Sequence, residues 1–394
     1  MVVPDDMDVE DFTAVQHPAD DPNSDTVTTH FEYHCMEDNL LKLDMLGHDD
    51  PTMIKMLEDL TGVNARAIPL DDPDTMSIFT SSKVLGFEND EILGPTGAVA
   101  IPEFNTRFTR GMLMDTMPKD FNTLVRLSGF SHGTDVWLGN ARELIVSGTA
   151  SVLETVGCRD DIMLYLISMG LDPKMSFKIM EAVRKGKVKK GGFSEGWEEA
   201  MREHKVPDWY IESLAKIGYL FPKAHAVAYV MMAFRIAWFK VHQPLAFYAT
   251  FFSIRAKAFD AEYCCAGLDA VKRKIREIEN NKDATDVEQN LLVTLEVCYE
   301  FYLRGFHFDT ISIYDSDATH FKITENGLLP PFVTVRGLGE TAALDTVEKR
   351  KGKTFISVEE FATTCNKLSK THIEQLKALG AFAGMADTSQ VSLF

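Results

Sequence analysis

Asp44 carries a carboxylate that could take part in catalysis from its position in the sequence. It lies in the run LLKLDMLG at 40–47, where Leu41, Leu43 and Met45 alternate as on a strand with one face against a core. Aspartate is disfavoured inside strands. The ordinary reason for such a residue is a surface position or a local hydrogen bond. The chemical reason is metal binding for phosphoryl transfer, which needs several carboxylates around ions about 3.5–4 Å apart.

A second candidate is the basic segment 174–190, which carries seven basic side chains and one glutamate. Its spacing predicts a helix that ends with Arg184, Lys185 and Lys187. Basic residues complement the dipole at a helix C-terminus, and a charged run is commonly a solvated surface. The alternative is a clamp on phosphate groups, for which arginine offers paired hydrogen bonds and lysine a point charge. Charge alone favours the solvated surface.

A third group lies at the start of the predicted helix AHAVAYVMMAFRIAWFKVH. Lys223 and His225 stand at its first turn, and Tyr229 follows His225 by four residues, so those two share a face. Most of this helix is apolar enough to be core. The spacing is equally compatible with a capped core helix and with a nucleotide site in which Lys and His contact phosphate and Tyr contacts the base or sugar.

The segment VRGLGETA at 335–342 is the fourth candidate. Two glycines flank Leu338 directly before a predicted helix, so backbone N–H groups can approach an anion at the helix N-terminus. A tight turn would have the same sequence. The pattern alone does not choose between them.

Composition narrows the class of protein. The 394 residues carry a net charge of −19, with 45% hydrophobic and 25% charged residues, as in a globular protein with two or three domains. Residues 1–50 hold 14 acidic residues and one lysine, so the rest of the chain is only mildly acidic and nucleic-acid binding stays open. No G-x-x-x-x-G-K-[ST] or G-x-G-x-x-G loop is present, which argues against a metabolic enzyme with a mononucleotide site.

Localisation follows from the cysteines and the N-terminus. The six cysteines form no C-x-x-C pair and no metal spacing, so we expect reduced thiols and a cytoplasmic protein. Residues 1–12 have neither the basic nor the apolar region of a signal peptide. The most apolar stretch, 224–252, is interrupted by Arg235 and Lys240, which predicts a buried helix and no membrane span.

Periodicity predicts a mainly α fold with small α/β portions. Strands are predicted at 28–34, around Asp44, at 307–314 and at 320–324. A helix is predicted from Asp50 as N-cap to Gly62, with Met53, Ile54, Leu57 and Leu60 as its buried stripe. Residues 63–258 and 260–305 are predicted to be mainly helical.

Together these stretches resemble a known family. From about residue 1 to 394 the chain is similar to the C-terminal part of the PolC-type alpha subunit of bacterial DNA polymerase III. The motifs that carry the likeness are TTHFEYHCMEDNLLKLDMLGHDDP, SGFSHGTDVWLGNARELI, GCRDDIMLYLI, MEAVRKGK and FPKAHAVAYVMMAFRIAWFKVHQPL. The resemblance implies partial palm strands in 1–54, helical fingers in 55–258, and a duplex-binding domain with a helix-hairpin-helix in 259–394.

The resemblance also assigns Asp44. It would be the third catalytic carboxylate of the palm and a ligand of Mg²⁺. The other two acids, an Asp-x-Asp pair, would lie upstream of Met1. Asp6 and Asp8 have the right spacing, but they lie in a proline-flanked stretch close to Asp44, and the pair is not placed there.

The remaining implied site residues fall into three groups. The incoming nucleotide (a dNTP) would be bound by Ser131, His132, Gly133, Thr134, Arg159, Arg184, Lys185, Lys223, His225 and Tyr229. A helix-hairpin-helix turn at Arg336, Gly337 and Gly339 would contact a phosphate of primer-template DNA. The tail QVSLF would bind a sliding clamp through Gln390, Leu393 and Phe394, although the family usually has Leu where Val391 stands.

The sequence therefore predicts part of a replicative DNA polymerase. The parent enzyme would add deoxynucleotides to a primer 3′-OH by two-metal phosphoryl transfer. Without the Asp-x-Asp pair, this chain is expected to be inactive alone and to work with the remainder of the polymerase. The alternative is a non-catalytic module that binds DNA and a sliding clamp.

Overall fold

A computed structural model of the chain describes residues 1–43 and 47–388. It divides into two compact units, Met1–Asp49 and Asp50–Phe394. Asp44 lies outside the described residues, as do Gln390, Leu393 and Phe394. The fold class is confirmed, because the described chain is mainly helical with two small sheets.

The first unit contains little regular structure. Strand β1 (Val15–Gln16) pairs antiparallel with β2 (Thr28–Thr29). The strand predicted at 28–34 is wrong beyond Thr29, because the chain turns into a 3-10 helix at Tyr33–Cys35. Leu41 and Leu43 are 60% and 56% exposed, so the described part of the predicted core-facing strand does not face a core. Acidic, proline-containing sequence leaves this unit few apolar side chains to bury.

The second unit begins with α1, and the helices up to residue 254 surround one apolar core. They are α1 Asp49–Thr61, α2 Pro73–Ser77, α3 Arg107–Thr116, α4 Phe121–His132, α5 Arg142–Val146, α6 Arg159–Ser168, α7 Pro173–Arg184, α8 Lys187–Gly191, α9 Trp197–Glu203, α10 Asp208–Lys216, α11 Lys223–His242 and α12 Pro244–Ile254. The predicted helices of 63–258 are confirmed. Helix α1 begins one residue before the predicted N-cap, and Leu60 is 43% exposed although it was predicted to be buried.

Local signals explain where these helices start. Asp120 accepts a hydrogen bond from the Thr123 amide at 2.8 Å, and Asp172 accepts one from Met175 at 2.9 Å. Such side-chain acceptors satisfy amides that the first helical turn leaves unpaired. Pro173 follows its cap directly, where its missing N–H costs nothing.

The remaining elements form the C-terminal part of the unit. They are α13 Ala261–Cys264, α14 Leu268–Asn280, α15 Asp286–Leu303, β3 His307–Phe308, β4 Lys322–Ile323, β5 Gly327–Leu329, α16 Glu340–Lys349, α17 Val358–Thr364 and α18 Lys370–Ala378. Strand β5 lies between β3, to which it is parallel, and β4, to which it is antiparallel. The strand predicted at 307–314 is wrong beyond Phe308. Ser312 Oγ accepts the Tyr314 and Asp315 amides, so side-chain bonds form a turn instead.

Helix α11 is the centre of the core. It alone among the described helices is long and apolar enough to cross a membrane by length and composition. Its packing is that of a core helix, since Phe234, Ile236 and Phe239 are fully buried against other helices. Lys240 is also fully buried, and its Nζ lies 2.7 Å from a carboxylate oxygen of buried Glu300.

The buried Lys240–Glu300 pair is fully hydrogen-bonded. Lys240 Nζ also donates to the carbonyl oxygens of Gly97 at 2.8 Å and Val99 at 2.5 Å. Tyr248 OH donates to Glu300 at 2.7 Å. Burial lowers the pKa of Lys240 to about 8, while Glu300 opposes that shift. These bonds tie α11, α12, α15 and the 97–99 loop together.

Candidate nucleotide-binding site and DNA-contacting loop

The segment 217–222, directly before α11, joins three of the elements that carry predicted site residues. Thr134 donates its amide to the Tyr219 carbonyl at 3.0 Å, which ties the end of α4 to the segment. Arg159 at the start of α6 donates its amide to Phe221 O at 3.0 Å. Leu220 donates its amide to Arg184 O, at the end of α7, at 3.3 Å. The structure therefore brings the SHGTD loop, Arg159, Arg184 and the start of α11 to one place.

Two glycines permit this close approach. A Cβ on Gly133 would lie 2.4 Å from Val136 Cγ2 and 3.0 Å from Tyr219 O. A Cβ on Gly186, which follows α7 with φ +65°, would lie 2.4 Å from the carbonyl oxygen of Gly218. No side chain fits at either position without movement, and the positive φ of Gly186 also favours glycine.

Aromatic rings line the same region. The His132 ring lies 5.5 Å from Phe221 and 5.9 Å from His225, between ring centroids. Phe221 stacks on His225 at 5.0 Å, and His225 contacts Tyr229 at 4.5 Å. Tyr219, 40% exposed, packs edge-on against Phe221. Such a cluster offers flat apolar surface for a base or a sugar.

His132 and Ser131 are held by their own helix and by a carboxylate. His132 Nδ1 lies 2.8 Å from Ser128 O, and its Nε2 lies 3.4 Å from Glu103 Oε2. Ser131 Oγ donates to the same Ser128 carbonyl at 3.0 Å. These contacts fix the imidazole with its Nδ1 towards the helix carbonyl and its Nε2 towards Glu103.

The Glu181 carboxylate is bound by Arg184 and Lys185, the cations that were predicted to bind phosphate. Arg184 donates through Nε and NH2 to Glu181, with the NH2 bond at 2.9 Å, and Lys185 Nζ lies 2.9 Å from the same group. The Arg184 hydrogen bond, with help from Lys185, lowers the pKa of Glu181 to about 2. The two cations are therefore presented together, held by one acid.

The acid dependence of stability tests this contact. The pKa of Glu181 is lower in the folded chain than its ordinary value of 4.5. Its stabilisation is therefore complete above pH 4.5 and is lost as the pH falls towards 2. We expect the free energy of unfolding to fall less between pH 4.5 and 3 in Glu181→Gln than in the wild type, by up to about 1 kcal/mol. Urea denaturation at several pH values measures this, with exposed Glu195→Gln as control; equal pH slopes for wild type and Glu181→Gln would contradict it.

The start of α11 is capped from a neighbouring helix. Pro222 provides no side-chain cap, and the Lys223 amide donates instead to Asp160 Oδ2 at 2.7 Å. Lys223 Nζ lies 3.8 Å from Asp161. The half-buried Arg159 side chain has no hydrogen-bond or ion-pair partner in the part of the chain that the structure describes, so its guanidinium is available to a ligand.

Sequence reasoning missed the acids and the aromatic ring that organise this site. Glu103, Asp160 and Glu181 each hold a predicted site residue, and Phe221 links two predicted histidines. The spacing of Glu181, three and four residues before Arg184 and Lys185, was a usable signal for a helical ion pair. The other contacts join residues far apart in the sequence, and no local pattern indicates them.

The predicted DNA-contacting loop lies before α16. Gly337 has φ +77°, and Gly339 is the N-cap of α16. Among the described residues, the amides of Gly337 and Gly339 have no acceptor, so they remain available to an anion. Arg336 donates to Asp260 at 2.9 and 2.7 Å and stacks over Tyr263 at 5.3 Å, and Asp260 raises its pKa. Arg336 therefore anchors the loop in this structure.

No metal centre is found in the described ranges. Within residues 1–43 and 47–388, no group of three or more His, Cys, Asp or Glu side chains could hold a metal ion. Asp44, which the family resemblance assigns to Mg²⁺, lies outside those ranges.

Comparison with known proteins identifies the class. Residues 50–205 match the family described as the bacterial DNA polymerase III alpha subunit finger domain. Residues 305–391 match the helix-hairpin-helix motif family, and the loop before α16 lies within this matched range. The matched regions and the helical fold define a portion of a bacterial DNA polymerase III alpha subunit.

Whole-chain relatives make the assignment more specific. The chain is 54% identical over 395 aligned positions to DNA polymerase III PolC-type of Caldanaerobacter subterraneus subsp. tengcongensis, covering all of this chain and 28% of that protein. It is 50% identical to the protein of that name from Halalkalibacterium halodurans and 51% identical to the one from Streptococcus mutans serotype c, covering 27% of each. The chain belongs to the PolC-type DNA polymerase III family and spans less than a third of these relatives.

Proposed function

We propose that this chain supplies the fingers and a duplex-binding region of a replicative DNA polymerase that adds dNTPs to a primer 3′-OH. The observation that carries the proposal is the 217–222 segment. It gathers the ends of α4 and α7 and the starts of α6 and α11 around one cluster of cations and aromatic rings. In this proposal, residues 1–54 form the edge of the palm, 55–258 the fingers, and 259–394 the duplex-binding domain.

The incoming triphosphate is proposed to bind the cations of this cluster. Arg159, Arg184 and Lys185 would contact phosphate oxygens, with Lys223 beside them. The triphosphate would compete with Glu181 for Arg184 and Lys185. The rings of His225 and Tyr229 would face the sugar or base, and the loop at 131–134 would line the pocket.

The metal and the other partners are part of the same proposal. Asp44 is proposed to bind Mg²⁺ with carboxylates from other parts of the polymerase, and the ion would stabilise charge on the phosphates. The free amides at Gly337 and Gly339 would contact a DNA phosphate without reading sequence. Gln390, Leu393 and Phe394 would bind a sliding clamp, in the cytoplasm.

Primer extension tests the function. The chain is mixed with the upstream polypeptide that carries the Asp-x-Asp pair, and extension of a labelled primer is measured. Extension that appears only with both parts and disappears with Asp44→Asn supports the polymerase. Extension by the chain alone would contradict the proposal that its catalytic site needs an Asp-x-Asp pair from another polypeptide. No extension with any upstream partner, while DNA binding persists, would overturn the polymerase and leave the non-catalytic DNA- and clamp-binding module.

Arg184→Gln is expected to raise the dNTP KM by about 10- to 100-fold in that assay. The variant removes a charge-assisted hydrogen bond to phosphate, which contributes about 1.5–3 kcal/mol. The matched control is Arg202→Gln, because Arg202 is also paired to acids on its own helix and beyond it but lies on α9. An equal rise in KM for both variants, or none for Arg184→Gln, would remove Arg184 from the triphosphate site.

A further inference from the structure

The exposed side of α7 combines cations with an aromatic ring. Ile179, Met180 and Val183 face the core. On the opposite side Lys174, Phe177 and Lys178 are exposed, and we call these three residues the α7 stripe. At about 1.5 Å per residue, the distance along the helix axis from Lys174 to the proposed phosphate-binding residue Lys185 is about 16 Å.

Local structure does not account for the charge of the stripe. Lys174 lies in the first turn of α7, where the helix dipole disfavours a cation, and Asp172 already caps that end. Within the described ranges, neither Lys174 nor Lys178 has an ion-pair or hydrogen-bond partner for its ammonium group. Both cations are therefore available to an external anion, although the chain as a whole carries a net charge of −19.

Phe177 adds a second requirement for the ligand of the α7 stripe, besides the negative charge that the lysines would bind. Its side chain is 50% exposed between the two lysines, one turn after Lys174 and directly before Lys178. Among the described residues, no aromatic ring contacts the Phe177 ring. An exposed aromatic ring flanked by cations fits a ligand that has both flat faces and a charged backbone.

Single-stranded nucleic acid has both properties. Proteins bind it by combining a basic track for the phosphates with aromatic side chains on which bases stack. In a duplex the bases are already stacked and paired, so Phe177 would have no base face to contact. An acidic peptide would match the lysines but would leave the ring unused.

We infer that the α7 stripe binds single-stranded DNA, namely the unpaired template strand beyond the primer end. The assignment of that strand as template rests on the proposed function. The fold also indicates the path of the template strand. The stripe runs along α7 towards the helix end at which Arg184 joins the proposed nucleotide site. Phosphates would contact Lys174 and Lys178, and one base would stack on Phe177.

Binding of a fluorescently labelled twelve-nucleotide oligothymidylate to the whole chain tests this inference, with anisotropy read over a range of salt concentrations. Lys174→Gln/Lys178→Gln is expected to lower the salt slope, d log K/d log[salt], by about 1.4 in magnitude, since each single-strand phosphate contact contributes about 0.7. Phe177→Ala is expected to weaken binding about tenfold at an unchanged salt slope, whereas Phe177→Tyr keeps the ring and the affinity.

Matched controls separate the stripe from general electrostatics. Lys119→Gln/Lys282→Gln removes two exposed lysines that also lack a described partner, and Phe108→Ala removes a 45% exposed ring on α3. Both controls should leave affinity and slope unchanged. Equal losses in stripe and control variants, no loss in the stripe variants, or equal dependence on Phe177 for a blunt duplex would overturn the inference. Primer extension and the dNTP KM are separate readouts, so either proposal can fail while the other stands.

Discussion

Replacement of Lys240 by methionine is expected to destabilise the Asp50–Phe394 unit by about 3–5 kcal/mol. Lys240 and Glu300 are both fully buried and lie 2.7 Å apart. Removal of the ammonium leaves the Glu300 carboxylate in the core with Tyr248 as its remaining donor, and it also leaves the carbonyls of Gly97 and Val99 without their donor. An unpaired buried charge of this kind is strongly destabilising.

Two further variants show that the cost comes from the orphaned charge. Lys240→Met/Glu300→Leu removes both charges and should recover a large part of the loss, since apolar groups can replace a buried pair at little cost. Lys349→Met removes one partner of a more exposed pair with Asp345 and should cost no more than about 1 kcal/mol. Urea denaturation measures all three. A loss below about 1 kcal/mol for Lys240→Met would mean that Glu300 is neutral or hydrated without its partner.

Lys240 also shows what the sequence can predict about the core. The apolar run at 224–252 predicts α11 and its burial, because most of its side chains are apolar. The same reading treats Lys240 only as an interruption. Its partner Glu300 lies on α15, and no local pattern relates the two positions. The sequence therefore predicts the helix and its burial but not the ion pair inside.

The same limit applies to the candidate site. The basic end of α7 and the residues Lys223, His225 and Tyr229 are visible as local clusters. Their meeting point is not, since backbone bonds from 217–222 to Thr134, Arg159 and Arg184 involve groups that every residue has. The family resemblance does relate these motifs, because members of a family share a fold and the fold determines which motifs lie together.

Strands were predicted less well than helices for a physical reason. Alternation at 28–34 and 307–314 is real, but a strand also needs a partner strand to accept its backbone bonds. At Thr28–Thr29 and His307–Phe308 a partner is present, and there the strand forms. Beyond those pairs, turns and side-chain acceptors satisfy the backbone. A helix satisfies its own backbone, so apolar periodicity suffices to predict α3, α4 and α7.

Gly186→Ala is expected to destabilise the chain by about 2–5 kcal/mol and to weaken dNTP binding about tenfold. The new Cβ would lie 2.4 Å from Gly218 O, a backbone atom that cannot rotate away, and Gly186 has φ +65° and ψ 16°. A side chain in this left-handed conformation costs about 1–2 kcal/mol, and overpacking adds about 1–3 kcal/mol. Relief requires the end of α7 to move away from 217–222, and Arg184 and Lys185 move with it.

Gly139→Ala is the matched control, because Gly139 has φ 72° and ψ 6° but no atom within 4 Å of its added Cβ. Gly139→Ala introduces the same backbone strain without the steric overlap. Its free energy of unfolding should therefore fall by about 1–2 kcal/mol, and its nucleotide affinity should not change. Urea denaturation and titration with a fluorescent dATP analogue compare the two variants. Equal losses of stability would mean that backbone strain alone acts at Gly186. A destabilised Gly186→Ala with unchanged nucleotide affinity would show that the end of α7 binds no phosphate.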